Sequence, residues 1–62
     1  MTETMQALME IKDMIHAGLY RVADKRLNSI YEAWTADELH MKDHEENFMI
    51  YLMSKLSRLM VK

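Results

Sequence analysis

This chain of 62 residues contains one glycine and no proline. Inside a helix, proline costs roughly 3 kcal/mol and glycine about 1 kcal/mol relative to alanine, so these residues normally mark helix ends. Methionine, leucine, alanine, glutamate and lysine, which all favour helices, are frequent. The sequence therefore predicts an all-α chain with few and short connections.

The first predicted helix covers about residues 3–17. Its apolar residues recur every three or four positions and so share one face of a helix; they are Ala7, Leu8, Ile11, Met14 and Ile15. Gly18 follows directly, where a helix often ends with a residue in the left-handed conformation. Helix and glycine together indicate a defined end at this position.

The second predicted helix covers about residues 20–34 and carries an apolar stripe formed by Leu19, Ala23, Leu27, Ile30 and Trp34. Tyr20 and Tyr31 widen this stripe. Two amphipathic helices joined at one glycine predict an αα-hairpin.

The residues around this turn resemble a tetratricopeptide repeat. In that family a Gly-x-Tyr-x-x-Ala run joins two antiparallel helices, and Gly18, Tyr20 and Ala23 stand at this spacing, followed by Leu27 and Ile30. The likeness covers about a third of the chain, and one repeat cannot bury its own faces. It implies an αα-hairpin and no more.

The third predicted helix covers about residues 36–60 and is about 37 Å long. Thr35 and Glu38 have the spacing of a capping box, which indicates that a new helix begins after Thr35. The alternative is one continuous helix through Thr35. The expected fold is an αα-hairpin plus a longer third helix, a three-helix bundle in a single domain of residues 1–62.

The small size of the chain favours completion by oligomerisation. A chain of about 60 residues buries only about 60% of its unfolded surface and is marginally stable alone. It has no cysteine, so disulfides and thiolate metal sites are excluded. The most apolar stretch is interrupted by Lys55 and Arg58, which argues against a membrane span. A cytoplasmic location is therefore expected.

Apolar residues on the predicted third helix exceed what a hairpin can cover. Phe48, Leu52, Leu56 and Leu59 form one seam, and methionines widen it. The predicted partner or oligomer interface comprises Met5, Met9, Met49, Ile50, Met53 and Met60. Acidic residues cluster before position 47 and basic residues after it, so an antiparallel homodimer through helix three is favoured.

Two other sites are weaker candidates on the same helix. Lys55, Arg58 and Lys62 form a basic stripe suited to phosphates, so a nucleic-acid-binding helical dimer is the alternative function. A helix beginning at residue 36 would place Asp37, His40 and His44 on one side, a ligand set acceptable to zinc. Two exposed histidines on a polar helix face explain this pattern equally well.

Catalytic motifs are missing from the sequence. His44 and Glu45 begin a zinc-protease motif, but Phe48 stands where its second histidine is required. No glycine-rich phosphate loop is present, and no cofactor is indicated. The sequence favours a non-enzymatic adaptor, inhibitor or regulator of the kind that phages and plasmids encode, which self-associates and binds a protein partner by a methionine-rich helical surface.

Overall fold

The structure is a computed structural model and describes residues 2–60. Within this range it contains three α-helices and no strand: α1 spans Glu3–His16, α2 spans Tyr20–Thr35 and α3 spans Asp43–Met60. The predicted all-α fold, a hairpin followed by a third helix, is confirmed. None of the three described helices is long and apolar enough to cross a membrane.

Both ends of α1 are capped by local hydrogen bonds. At its start the Thr2 hydroxyl accepts from the Met5 amide at 3.0 Å. At its end the Leu19 amide donates to the Met14 carbonyl at 2.9 Å, and Gly18 adopts a φ of +83°. This is a Schellman motif with glycine at its left-handed position. The predicted stop at Gly18 is confirmed.

The end of α2 uses the same motif without glycine. Asp37 has a φ of +64°, and the Glu38 amide donates to the Ala33 carbonyl at 2.9 Å. Aspartate is one of the few other residues that enter the left-handed region readily. Residues 36–42 are consequently not helical.

The prediction that helix three begins at residue 36 is therefore wrong, and so is the alternative of one continuous helix. Thr35 is the last residue of α2, and its hydroxyl donates to the Glu32 carbonyl at 3.1 Å. A capping box contains two hydrogen bonds, and the one that the glutamate side chain accepts occurs seven residues later instead. Glu45 is the third residue of α3, and its Oε1 accepts from the Lys42 amide at 2.9 Å.

Each of the three helices packs against the other two. Because the turn at Gly18 and the 36–42 connection each reverse the chain, α2 runs antiparallel to α1 and to α3. The buried apolar residues are Leu8, Ile11, Ile15, Ala23, Leu27, Met41, Met49, Leu52 and Leu56. One of them, Met41, comes from the 36–42 connection, which was predicted to lie on a polar helix surface.

The buried seam of α3 differs from the predicted one. Leu52 and Leu56 are in the core, as expected, but Phe48 is only partly buried and Leu59 is exposed. The inward row is instead Glu45, Met49, Leu52 and Leu56, spaced four, three and four residues apart. The predicted seam of leucine and phenylalanine therefore lies on a slightly different side of the helix from the buried row. The sequence did not indicate the buried row because Glu45, one of its members, is not apolar.

Candidate interaction groove

A solvent-open groove runs between α2 and α3. Its first stretch, with a volume of about 820 Å³, is lined by Tyr31, Trp34, Ile50, Met53, Ser54, Ser57 and Arg58. A second stretch shares Met53 and Ser57 with it and adds Asp24, Asn28 and Met60. These ten residues define the α2–α3 groove. Its openness makes it a trough along two helices rather than an enclosed small-molecule cavity.

The walls of the groove expose large apolar side chains. Tyr31 is 39% exposed, Ile50 51% and Met60 40%. Trp34 and Met53 are partly buried and pack against the core beneath the groove. The rings of Tyr31 and Trp34 lie with centroids 6.0 Å apart and planes tilted by 57°, a favourable arrangement of two aromatic rings. Exposed apolar side chains gathered along one trough form a surface that another protein chain can cover.

Three of the six predicted interface residues meet in this groove: Ile50, Met53 and Met60. The inclusion of Met49 is wrong, because its side chain is 0% exposed within the core of its own chain. Met5 and Met9 are partly buried on α1 and do not line the groove.

Tyr31 and Trp34 are groove residues that the sequence did not single out. Both belong to the broad apolar stripe of α2, which was predicted as one face of the hairpin without a separate partner surface. The width of that stripe was the available signal: an apolar arc wider than one neighbouring helix covers leaves an edge exposed.

The predicted basic stripe is divided between two surroundings. Lys55 places its Nζ atom 5.9 Å from the ring centroid of Tyr51, and Tyr51 stacks on Phe48 with centroids 6.4 Å apart. Arg58 lines the α2–α3 groove instead. Lys62 lies outside the described residues. The nucleic-acid alternative remains a prediction.

The structure does not support the predicted zinc site, because its three residues do not share one helix. Asp37 and His40 lie in the non-helical 36–42 segment, and only His44 belongs to α3. Their helical spacing therefore does not place the three side chains on one face. Within residues 2–60, no three histidine, aspartate or glutamate side chains are grouped so that they could hold a metal ion.

A carboxylate joins the starts of α1 and α3. Glu45 is only 2% exposed and accepts two hydrogen bonds, from the Thr2 hydroxyl and from the Lys42 amide. Thr2 and Lys42 immediately precede α1 and α3, so these parallel helices begin side by side. Their dipoles both point positive ends toward this corner, where a negative charge is favourable.

These contacts lower the pKa of Glu45 below its ordinary value of 4.5. The Thr2 hydrogen bond contributes most, followed by the Lys42 amide, and together they outweigh the opposing effect of burial. Because the lowered pKa belongs to the folded state, Glu45 contributes stability above pH 4.5 and loses it as the pH falls through the folded pKa.

We expect Glu45→Gln to flatten the acid side of the stability profile. Urea unfolding midpoints measured from about pH 3 to about pH 7 should fall at low pH in the wild-type protein and fall less in the variant. Glu3→Gln, at an exposed position in the first turn of α1 and without these hydrogen bonds, is the matched control and should keep the wild-type profile. Parallel profiles for wild type and Glu45→Gln would contradict the role of Glu45.

Comparison with known proteins gives no match: no family model fits the chain, and no curated protein or solved structure shows significant similarity to it. The likeness at Gly18, Tyr20 and Ala23 thus stays confined to the hairpin turn.

Proposed function

We propose that this chain is a small protein-interaction module without catalytic activity, an adaptor, inhibitor or regulator that acts when another protein chain covers its α2–α3 groove. The observation that carries the proposal is the exposure of Tyr31, Ile50 and Met60 along one groove that Trp34 and Met53 anchor to the core. Covering these side chains removes apolar surface from water, which is the main driving force of protein association.

The shape and composition of the groove suit a helix of another chain. Two antiparallel helices form a trough, into which an amphipathic helix lays its apolar side. Tyrosine and tryptophan are the residue types that most often carry binding energy at interfaces, and methionine adapts its shape to a partner. Tyr31, Trp34 and Met53 supply all three types within the first stretch.

Self-association belongs to the same proposal. The chain has 62 residues and no disulfide, so its own core provides limited stability. A chain that binds only the folded form adds stability in proportion to its concentration. Covering the groove therefore serves both the fold and the interaction.

Two adjacent residues of α3 provide a matched test. Ile50 and Tyr51 are 51% and 50% exposed, but only Ile50 lines the groove. Tagged wild-type, Ile50→Glu and Tyr51→Glu chains would be used to capture proteins from the cells that produce this protein, with mass spectrometry of what is retained. In parallel, sedimentation would give the mass of each free chain, and circular dichroism would show that each variant is folded.

The proposal expects Ile50→Glu to remain folded but to lose association, seen as fewer retained proteins, a lower mass, or both. Tyr51→Glu should behave as wild type, because its carboxylate stays in solvent four residues before Lys55, a favourable spacing. If Ile50→Glu retains the same proteins and the same mass as wild type, the groove is not the binding surface and the proposal fails.

A further inference from the structure

We infer that the chain that covers the α2–α3 groove is a second copy of this chain, packed antiparallel about a two-fold axis at the level of Leu52. The inference rests on the proposed function of the groove and identifies its occupant. It is carried by a row of four residues on α3, Glu46, Ile50, Ser54 and Arg58, which we call the α3 ridge. Residues four apart form a ridge along a helix surface, and such ridges are what packed helices interlock.

The α3 ridge is complementary to itself when read in the reverse direction. In an antiparallel copy centred at Leu52, Ile50 faces the second copy's Ser54, and Ser54 faces the second copy's Ile50. Ile50 is large and 51% exposed, whereas Ser54 is small and exposed. Each isoleucine therefore meets a position with little side-chain volume, which lets the two helices approach closely.

The ends of the α3 ridge are complementary in charge. The same register sets Glu46 against the second copy's Arg58, and the two-fold axis repeats that pair at the other end. Among residues 2–60 the one ion pair joins Arg26 to Glu10, between α1 and α2, with 3.3 Å between the guanidinium and carboxylate atoms. No ion pair within the described chain engages Glu46 or Arg58.

Charge also selects the orientation of the second copy. In a parallel copy Glu46 would face Glu46, and Arg58 would face Arg58, so both ends of the α3 ridge would repel. Opposed like charges across an interface suppress that arrangement. In the antiparallel register, opposite charges meet at both ends of the α3 ridge, and a large side chain meets a small one at each position between them.

A charge exchange tests this register directly. Four samples would be compared with wild type by sedimentation equilibrium: Arg58→Glu, Glu46→Arg, the double variant Glu46→Arg/Arg58→Glu, and an equimolar mixture of the two single variants. Lys55→Glu is the matched control, since it reverses a charge near the same helix end but outside the α3 ridge. Circular dichroism would confirm that every variant is folded.

The expected result is a wild-type dimer whose dissociation constant rises about tenfold or more in each single variant, where both ends repel. The double variant and the mixture should recover wild-type affinity, because every pair is again of opposite sign. Lys55→Glu should dimerise as wild type. Single variants that dimerise normally, or a mixture that stays dissociated, would overturn the register.

A wild-type chain that remains monomeric throughout the micromolar range would overturn the inference entirely. The proposed function is judged separately by the capture experiment. A monomer whose retained partner is lost in Ile50→Glu supports a different occupant of the groove, whereas a monomer with no groove-dependent partner ends both proposals.

Discussion

Met49→Glu should abolish folding of this chain. Met49 is 0% exposed and packs in the core with Leu52 and Leu56. A buried unpaired carboxylate costs several kcal/mol, and a second one would stand four residues after the buried Glu45. A chain of 62 residues has a total stability of roughly 3–9 kcal/mol to lose. Far-ultraviolet circular dichroism should show little helix and no cooperative melting transition.

Met53→Glu is the matched control, with the same substitution on the same helix. Met53 is only partly buried and lines the groove, so a carboxylate there reaches solvent. This variant should retain the helical spectrum and a cooperative transition while weakening association. If Met49→Glu melts as cooperatively as Met53→Glu, the placement of Met49 in the core is contradicted.

Met41→Ala should cost about 2 to 5 kcal/mol, the usual range for removing a buried methionine side chain. Met41 is 7% exposed, although it lies in the non-helical connection between α2 and α3. Met41 is the buried core residue of that connection, and the partly buried Leu39 packs beside the core, so the loss of Met41 weakens the packing that directs the chain into α3. Urea unfolding of the variant should show a lower midpoint with an unchanged slope.

Leu59→Ala is the control for Met41→Ala, because Leu59 is 43% exposed near the end of α3 and does not line the groove. Its truncation should change the stability by less than about 0.5 kcal/mol. Equal losses for the two variants would show that the 36–42 connection is not anchored by Met41.

The hairpin was predictable because local and long-range preferences agree there. The apolar spacing of α1 and α2 indicates two amphipathic helices, and Gly18 is the residue type that best adopts the left-handed turn between them. The predicted bounds of these two helices differ from the observed ones by one residue at most.

The start of α3 was not predictable from local preferences. Residues 36–42 contain alanine, glutamate, leucine and methionine, all good helix formers. The chain leaves the helix because Asp37 tolerates a positive φ and because Leu39 and Met41 gain contacts with the core. Such burial depends on where the other helices lie, and the helix propensity of individual residues contains no information about that.

The groove was predictable in part for a related reason. Excess apolar surface on helix three pointed to Ile50, Met53 and Met60, and these three residues line the groove. Met49 was misplaced because a buried row containing Glu45 does not look apolar in the sequence. The part played by Tyr31 and Trp34 depends on which edge of α2 is left uncovered by α3, and that is set by tertiary packing.

Trp34 permits the most direct test of the account, because it is the only tryptophan of the chain and it lines the α2–α3 groove. Acrylamide quenching of its fluorescence would be measured from submicromolar to submillimolar chain concentrations. If a second copy covers the groove, the quenching constant falls as the chain associates, and the fall is absent in folded Ile50→Glu but present in Tyr51→Glu. A quenching constant that stays the same at every concentration would contradict the account.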